Sequence, residues 1–133
     1  MSAIVGFLDT NVLVRHLTGT PVEAARRASR CLRGARALLL PDLVVAETAY
    51  VLGKVYGAPR TEVARALRSV LALPSVHSPD RDVLLRSIEV YEKHGLDFAD
   101  AYLVAVAEAS GVGAVISFDR DFDKLETIAR IEP

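Results

Sequence analysis

Short apolar runs alternate with longer amphipathic segments along this chain, and this alternation is the strongest constraint on its fold. The runs at 3–8, 37–40 and 114–118 are typical of buried strands, and 128–131 resembles a short terminal one. Between them the apolar spacing predicts these helices: 12–17, 22–32, 42–55, 61–71, 80–93 and 98–110. Strands separated by helices favour a mainly parallel sheet covered on both faces, which is an α/β fold.

Length and composition indicate one domain. A chain of 133 residues can bury one real core but not two, and we expect a single domain over residues 1–133. The apolar runs are short and interrupted by charged residues, and the N-terminal residues lack a basic region, so we expect neither a membrane span nor a signal peptide, and a cytoplasmic protein. Cys31 is the only cysteine, and its neighbours Ala28 and Leu32 indicate a small core residue.

Charge is divided unevenly along the chain. Residues 1–79 hold ten Lys and Arg against five Asp and Glu, whereas residues 80–133 hold six against twelve. Many of the early cations fall between Arg15 and Arg36, with only Glu23 to offset them. A solvated helix face and a phosphate-binding surface both fit this cluster. The candidate RNA contacts are Arg15, Arg26, Arg27 and Arg30.

Four acidic residues follow or interrupt apolar sequence. Asp9 and Asp119 come directly after strand-like runs, whereas Glu47 and Asp100 lie inside apolar helical segments. An isolated carboxylate among apolar groups costs several kcal/mol or becomes neutral, so a group of four requires a compensating cation. Because parallel sheets bind their ligands at the carboxyl ends of the strands, these acids are candidate ligands for a divalent metal.

Glu47 is the most informative of the four. Its helical neighbours are apolar, namely Leu43, Val44, Tyr50 and Val51. We therefore expect a carboxylate in the middle of an apolar stripe, held there by a metal. A side chain that bends out to solvent or pairs with a distant arginine is the alternative.

The remaining acids have more than one explanation. Asp97 and Asp100 lie three residues apart at the start of a helix, where capping and the helix dipole alone account for Asp97. Asp100 has apolar neighbours along its face and is the better ligand candidate. Asp121 is a secondary candidate after Asp119, and Asp123 is expected at the surface. This segment fails as a calcium loop, because Lys124 and Arg130 stand where that loop requires glycine and glutamate.

Two polar residues lie beside the strand-end acids. Asn11 follows Asp9 by two residues, and Ser117 precedes Asp119 by two. Each can orient a carboxylate or a water, and helix or turn capping explains each equally well.

Four segments together resemble one family. They are Leu8-Asp9-Thr10-Asn11-Val12-Leu13, Val45-Ala46-Glu47-Thr48, Phe98-Ala99-Asp100-Ala101 and Ser117-Phe118-Asp119-Arg120-Asp121-Phe122. In order and spacing they resemble the PIN domain, and the whole chain resembles the VapC-type toxins of toxin-antitoxin pairs. The resemblance implies a three-layer α/β/α sandwich and a magnesium- or manganese-dependent ribonuclease. It also implies a homodimer, and a cognate antitoxin whose tail occupies the acidic groove.

The resemblance also assigns site residues. It implies that Asp9, Glu47, Asp100 and Asp119 are catalytic metal ligands, with Asp121 as an accessory ligand. Asn11, Ser117 and Asp97 are the supporting polar residues of this site. The expected reaction is hydrolysis of RNA phosphodiester bonds by a metal-activated water.

Other functions remain open from the residues. A haloacid-dehalogenase-type phosphoesterase acting on a small substrate also begins with a strand and an aspartate, but it requires a second aspartate where Asn11 stands. A response-regulator receiver requires paired acids after the first strand, and Asp9 has no acidic neighbour. A non-catalytic module that binds a basic partner peptide in an acidic groove is the remaining alternative.

Overall fold

The structure is a computed structural model and describes residues 3–133. Two compact units make up the chain, one ending at Arg81 and the other running from Asp82 to Pro133. The strands of both units pair in parallel, as predicted. Within residues 3–133 no helix is long and apolar enough to cross a membrane.

The first unit contains a three-stranded parallel sheet in the order β1-β2-β3. Its elements are β1 (Ile4–Phe7), α1 (Thr10–Thr18), α2 (Val22–Leu32), β2 (Ala37–Leu39), α3 (Asp42–Tyr50), a π-helix (Val51–Val55), α4 (Arg60–Leu71) and β3 (Val76–His77). The central strand β2 is largely buried, with Leu38 6% and the following Leu40 1% exposed. This burial agrees with the prediction of a strand covered on both faces.

Helices of the first unit pack through small and branched side chains. The basic helix α2 spans the predicted residues and buries Ala25, Ala28 and Leu32 against α1. The helix α4 packs against α3 and β3 and buries the predicted face, including Val63 and Leu67. Amphipathic spacing therefore identified both helices correctly.

The segment predicted as one helix over 42–55 consists of an α-helix followed by a π-helix. The α-helix ends at Tyr50, and a π-helix continues from Val51 to Val55, with the Tyr56 N–H donating to the Val51 carbonyl at 3.2 Å. Gly53 lies inside the π-helix, where the missing side chain tolerates an altered turn. The strand β3 was not predicted, because two residues are too short to show a period.

The second unit contains a two-stranded parallel sheet and two long helices. Its elements are α5 (Arg81–His94, which starts one residue before the unit), α6 (Phe98–Ser110), β4 (Ala114–Ile116), a 3₁₀ helix (Arg120–Lys124) and β5 (Ala129–Ile131). The rings of Tyr91 and Phe98 lie 5.9 Å apart between α5 and α6. Gly111 ends α6 in the left-handed conformation with φ 79°, as a helix-ending glycine is expected to do. The β4–β5 pairing then fixes the end of β4, just before Ser117.

Candidate metal and nucleic-acid site

The first unit has a cavity of about 620 Å³ at the edge where strands β1 and β2 end. The two strands are parallel neighbours, with Phe7 opposite Leu39, so the helices that follow them begin at the same edge of the sheet. Asp9 lies at the start of α1 and Glu47 lies in the second turn of α3, and both line this cavity. The remaining lining residues are Thr10, Asn11, Val14, Arg15, Thr20, Pro21, Val51 and Tyr56. We call it the acidic cavity.

The two carboxylates of the acidic cavity are exposed and form few bonds. Asp9 caps α1, since its Oδ1 accepts a hydrogen bond from the Thr10 N–H at 2.9 Å. The Glu47 carboxylate forms no hydrogen bond or ion pair with any of residues 3–133. Both acids are therefore free to accept a ligand that brings positive charge or hydrogen-bond donors.

The expectation that Glu47 lies in a buried apolar stripe is wrong. Its helical neighbours Leu43 and Tyr50 are 78% and 63% exposed, and Glu47 is exposed with them. The buried face of α3 is instead formed by Val45, Thr48 and Ala49. Apolar residues occur on every side of this helix, so its sequence does not indicate which face is buried.

The second unit gathers the other predicted acids at its β4 end. Asp97 occupies the N-cap position of α6 and Asp100 lies in the first turn. Burial raises the pKa of the Asp100 carboxyl, and the negative charges of Asp119, Asp97 and Asp121 raise this pKa further. Asp119, Asp97 and Asp121 therefore lie near enough to Asp100 for their charges to act on its carboxyl. No ion pair within residues 3–133 neutralises Asp100.

Hydrogen bonds shape the turn that presents Asp119. The Ser117 Oγ accepts from the Asp119 N–H at 2.9 Å, and the Asp119 Oδ1 accepts from the Asp121 N–H at 2.9 Å. Ser117 thus supports Asp119 through its backbone. Asp121 is paired with Lys124 at 3.5 Å, and Asp123 is exposed and paired with Arg130 at 3.0 Å. The surface position predicted for Asp123 is confirmed.

All candidate ligands in both units carry oxygen, which suits a hard cation such as Mg²⁺ or Mn²⁺. The Thr10 Oγ1 beside Asp9 is buried and has no hydrogen-bond partner, so the acidic cavity has an unsatisfied polar atom as well as free carboxylates. In the described chain no three His, Cys, Asp or Glu side chains form a group that could hold a metal ion. The donor chemistry fits a divalent ion.

A family comparison covers nearly the whole chain. The PIN domain model matches residues 6–128. The chain belongs to the PIN domain family. PIN domains are generally nucleases and typically use divalent metal ions. The predicted α/β class with parallel strands is thereby confirmed, and membership agrees with the expected α/β/α layering. No curated protein sequence matches the chain significantly.

The four arginines predicted to contact RNA occupy three different settings in this PIN domain. Arg15 lines the acidic cavity. Arg26 is ion-paired with Glu23 on the same helix at 3.4 Å. Arg27 and Arg30 line a second, smaller cavity at the other end of α2. Only Arg15 is thus brought beside Asp9 and Glu47.

Tyr56 and Thr10 are among the residues of the acidic cavity that sequence reasoning missed. Tyr56 was not singled out, because its place at the cavity wall depends on the π-helix that precedes it. Thr10 was treated only as part of a helix cap, although it directly follows Asp9. The position of Thr10 directly after Asp9 was the signal that could have identified it. Cys31 is half-buried and lines the second cavity, so the expectation of a core cysteine is wrong.

Proposed function

We propose that this PIN domain is a metal-dependent endoribonuclease and the toxin of a toxin-antitoxin pair. Membership of a family of nucleases supports hydrolysis of a nucleic acid. The observation that carries the proposal is that four acids, Asp9, Glu47, Asp100 and Asp119, form no ion pair with any of residues 3–133. Negative charge gathered in this way opposes a phosphate backbone unless a metal ion is bound, so the acids themselves favour a metal-dependent reaction.

Asp9, Glu47, Asp100 and Asp119 are the proposed catalytic ligands for Mg²⁺ or Mn²⁺. When bound, the ion supplies a Lewis acid that lowers the pKa of water and offsets charge on the phosphoryl oxygens. Asp121 is proposed as an accessory ligand rather than a principal one, because its carboxylate must first break its ion pair with Lys124.

Neighbouring side chains have supporting roles in this proposal. Asn11 has no side-chain partner within residues 3–133 and lines the acidic cavity, so its amide can orient a water or a phosphate oxygen. Arg15 lines the same cavity and also forms no ion pair in the described chain. Its guanidinium can hold the RNA phosphate beside the acids in a bidentate manner. Ser117 and Asp97 support the turn and the helix start that carry the acids of the second unit.

The proposed partners are an antitoxin protein and a second copy of the chain. The surface of α3 supports a protein partner, because Leu43 and Tyr50 are exposed large apolar side chains beside the acidic cavity's Glu47. We propose that the antitoxin tail binds the acidic cavity and that the toxin acts in the cytoplasm, where its RNA substrate is present.

Cleavage of a mixed RNA pool in Mn²⁺ tests the nuclease proposal. Asp9→Asn and Glu47→Gln should each lower the rate by at least about 100-fold, a loss typical of removing an electrostatic catalytic group. Asp82→Asn and Glu62→Gln are matched controls, because both residues are exposed acids in the first turns of other helices. Chelation should abolish cleavage by the parent chain.

A double variant tests whether the acids of the two units serve one reaction. If Asp9 and Asp100 act on the same metal-bound phosphate, Asp9→Asn/Asp100→Asn should lose little more activity than either single variant. Fully multiplicative losses would contradict a shared centre. Hydrolysis of a small phosphoester without RNA cleavage would favour the phosphoesterase, and tight binding of a basic peptide without metal binding would favour the non-catalytic module.

A further inference from the structure

A second cavity, of about 320 Å³, lies at the C-terminal end of α2. Its walls are formed by Arg27, Arg30, Cys31, Gly34, Ala35 and Arg36. We call it the arginine cavity. It lies wholly within the first unit and shares no lining residue with the acidic cavity.

The three cations of the arginine cavity are not neutralised. Arg27, Arg30 and Arg36 form no hydrogen bond or ion pair with any of residues 3–133. Arg26, one residue before Arg27, is instead paired with Glu23 at 3.4 Å. Three like charges around one concavity repel each other and attract an anion from solvent.

Guanidinium groups select an anion with several oxygens. Each presents a planar fork of N–H donors that matches two phosphate oxygens. The backbone adds little, since the Gly34 N–H already donates to the Cys31 carbonyl at 3.2 Å. The negative end of the α2 dipole, about half a charge, opposes an anion here, but three full positive charges outweigh it. The chemistry therefore favours a phosphate bound by side chains alone.

The helix α2 connects the arginine cavity to the acidic cavity. Pro21, which lines the acidic cavity, is the N-cap residue of α2, and Arg30 lies nine residues later. At 1.5 Å per residue this separation is about 14 Å along the helix. A stacked strand that advances about 3.4 Å per nucleotide covers it with about four nucleotides.

We propose that the arginine cavity binds a backbone phosphate of a single-stranded RNA whose cleaved bond lies at the acidic cavity. This inference rests on the proposed nuclease function and adds a remote phosphate subsite to it. The strand follows α2, with Arg15 near one end and the arginine cavity at the other. RNA long enough to reach both cavities then binds more tightly than a dinucleotide.

Cys31 provides a local readout of this site. It is the only cysteine of the chain, it is half-buried and it lines the arginine cavity. A neutral maleimide, applied to the Asp9→Asn variant in Mn²⁺ so that little RNA is cleaved, should alkylate Cys31 more slowly when about ten nucleotides of single-stranded RNA are bound. A dinucleotide, which cannot span α2, should give no protection. RNA that binds by fluorescence anisotropy without protecting Cys31 would overturn the proposal.

Charge-matched variants separate the arginine cavity from a general basic field. Arg30→Gln/Arg36→Gln should weaken binding of the longer RNA several-fold and reduce the slope of log K against log salt by about 0.7, for one lost phosphate contact. Lys54→Gln/Arg65→Gln removes the same charge from exposed positions outside the cavity, and should leave the slope nearly unchanged. Equal losses in the two double variants would refute a localised site.

Cleavage in Mn²⁺ distinguishes failure of the subsite from failure of the nuclease proposal. The cavity variant should raise KM for the longer RNA, leave kcat unchanged, and leave dinucleotide cleavage unchanged. If the cavity variant cleaves the longer RNA with an unaltered KM, the subsite is rejected and the nuclease proposal stands. If the parent chain does not cleave RNA, both proposals are rejected. Protection of Cys31 by polyglutamate but not by RNA would overturn the proposal in favour of an acidic peptide ligand.

Discussion

Replacing Asp100 by asparagine should stabilise the metal-free protein. Burial and three neighbouring carboxylates raise the pKa of Asp100, so its ionised form is disfavoured in the folded state. Each like-charge pair at such spacing costs about 0.2–0.5 kcal/mol, or about 1 kcal/mol for three. The helix dipole offsets part of this cost, since a negative charge in the first turn of α6 gains about 0.3–1 kcal/mol. The raised pKa shows that the repulsion and burial together exceed the dipole term.

The expected gain for Asp100→Asn is about 0.5 kcal/mol, or a rise in Tm of about 2 °C for a chain of this size. Thermal unfolding in chelator at neutral pH measures it. Asp82→Asn isolates the dipole term, because Asp82 is an exposed acid in the first turn of α5, and should lower Tm slightly. A carboxyl whose pKa is raised by folding contributes stability at low pH that is lost as pH rises through that pKa. The advantage of the asparagine should therefore grow with pH and level off near neutrality.

Added Mn²⁺ should make the parent chain more stable than Asp100→Asn. At a concentration of 100 times Kd, metal binding stabilises the parent chain by about 2.7 kcal/mol, which exceeds the gain from removing the charge. Metal binding should stabilise Asp100→Asn less, because this variant lacks a proposed metal ligand. If the variant is no more stable than the parent in chelator, the repulsion argument is wrong. If Mn²⁺ stabilises both chains equally, Asp100 is not a ligand.

Two further predictions concern stability. Glu108→Gln should lower the free energy of unfolding by about 1 kcal/mol in urea, because Glu108 accepts two hydrogen bonds from Arg86, at 2.8 and 2.9 Å, and both side chains are partly exposed. Arg86→Gln should cost less in the Glu108→Gln background than in the parent chain, since only its ion pair with Glu89 is lost in both. Equal costs in the two backgrounds would contradict the pairing. The fold should become less stable as pH falls below about 6.5, the ordinary histidine pKa, because burial and then Arg33 lower the pKa of His16, so that the unfolded chain takes up the proton first. His16→Gln should reduce this dependence and the exposed His77→Gln should not, as pH-dependent unfolding will show.

The predictions that depended on local sequence were mostly correct. The helix α2 was predicted at its observed bounds, 22–32, because small apolar residues on one face and arginines on the other have an unmistakable period. The strand β2 was predicted from an apolar run ended by a proline. The π-helix after Tyr50 was missed, since its residues also suit an α-helix and only the hydrogen-bond pattern distinguishes the two.

Site residues were recognisable where their position follows from topology. Asp9 was identified because it follows a strand, and the parallel pairing of β1 with β2 brings it to the same cavity as Glu47. The reason given for Glu47 was nevertheless wrong, because the apolar residues around it face solvent. Membership of the PIN family was recognised from the order and spacing of the acidic motifs, which the sequence contains in full.

The amino-acid sequence by itself determined most of the helices and strands, their parallel α/β class and the identity of the acids, because periodicity and motif order are local properties of the chain. Only the tertiary structure decided how the arginines are divided, with Arg15 beside the acids, Arg26 paired with Glu23, and Arg30 in a separate cavity. These residues have the same charge and lie close together in sequence. What each arginine can bind depends on the carboxylates and cavity walls around it, and the packing of α1, α2 and the sheet determines these. Such contacts between distant residues leave no period in the sequence.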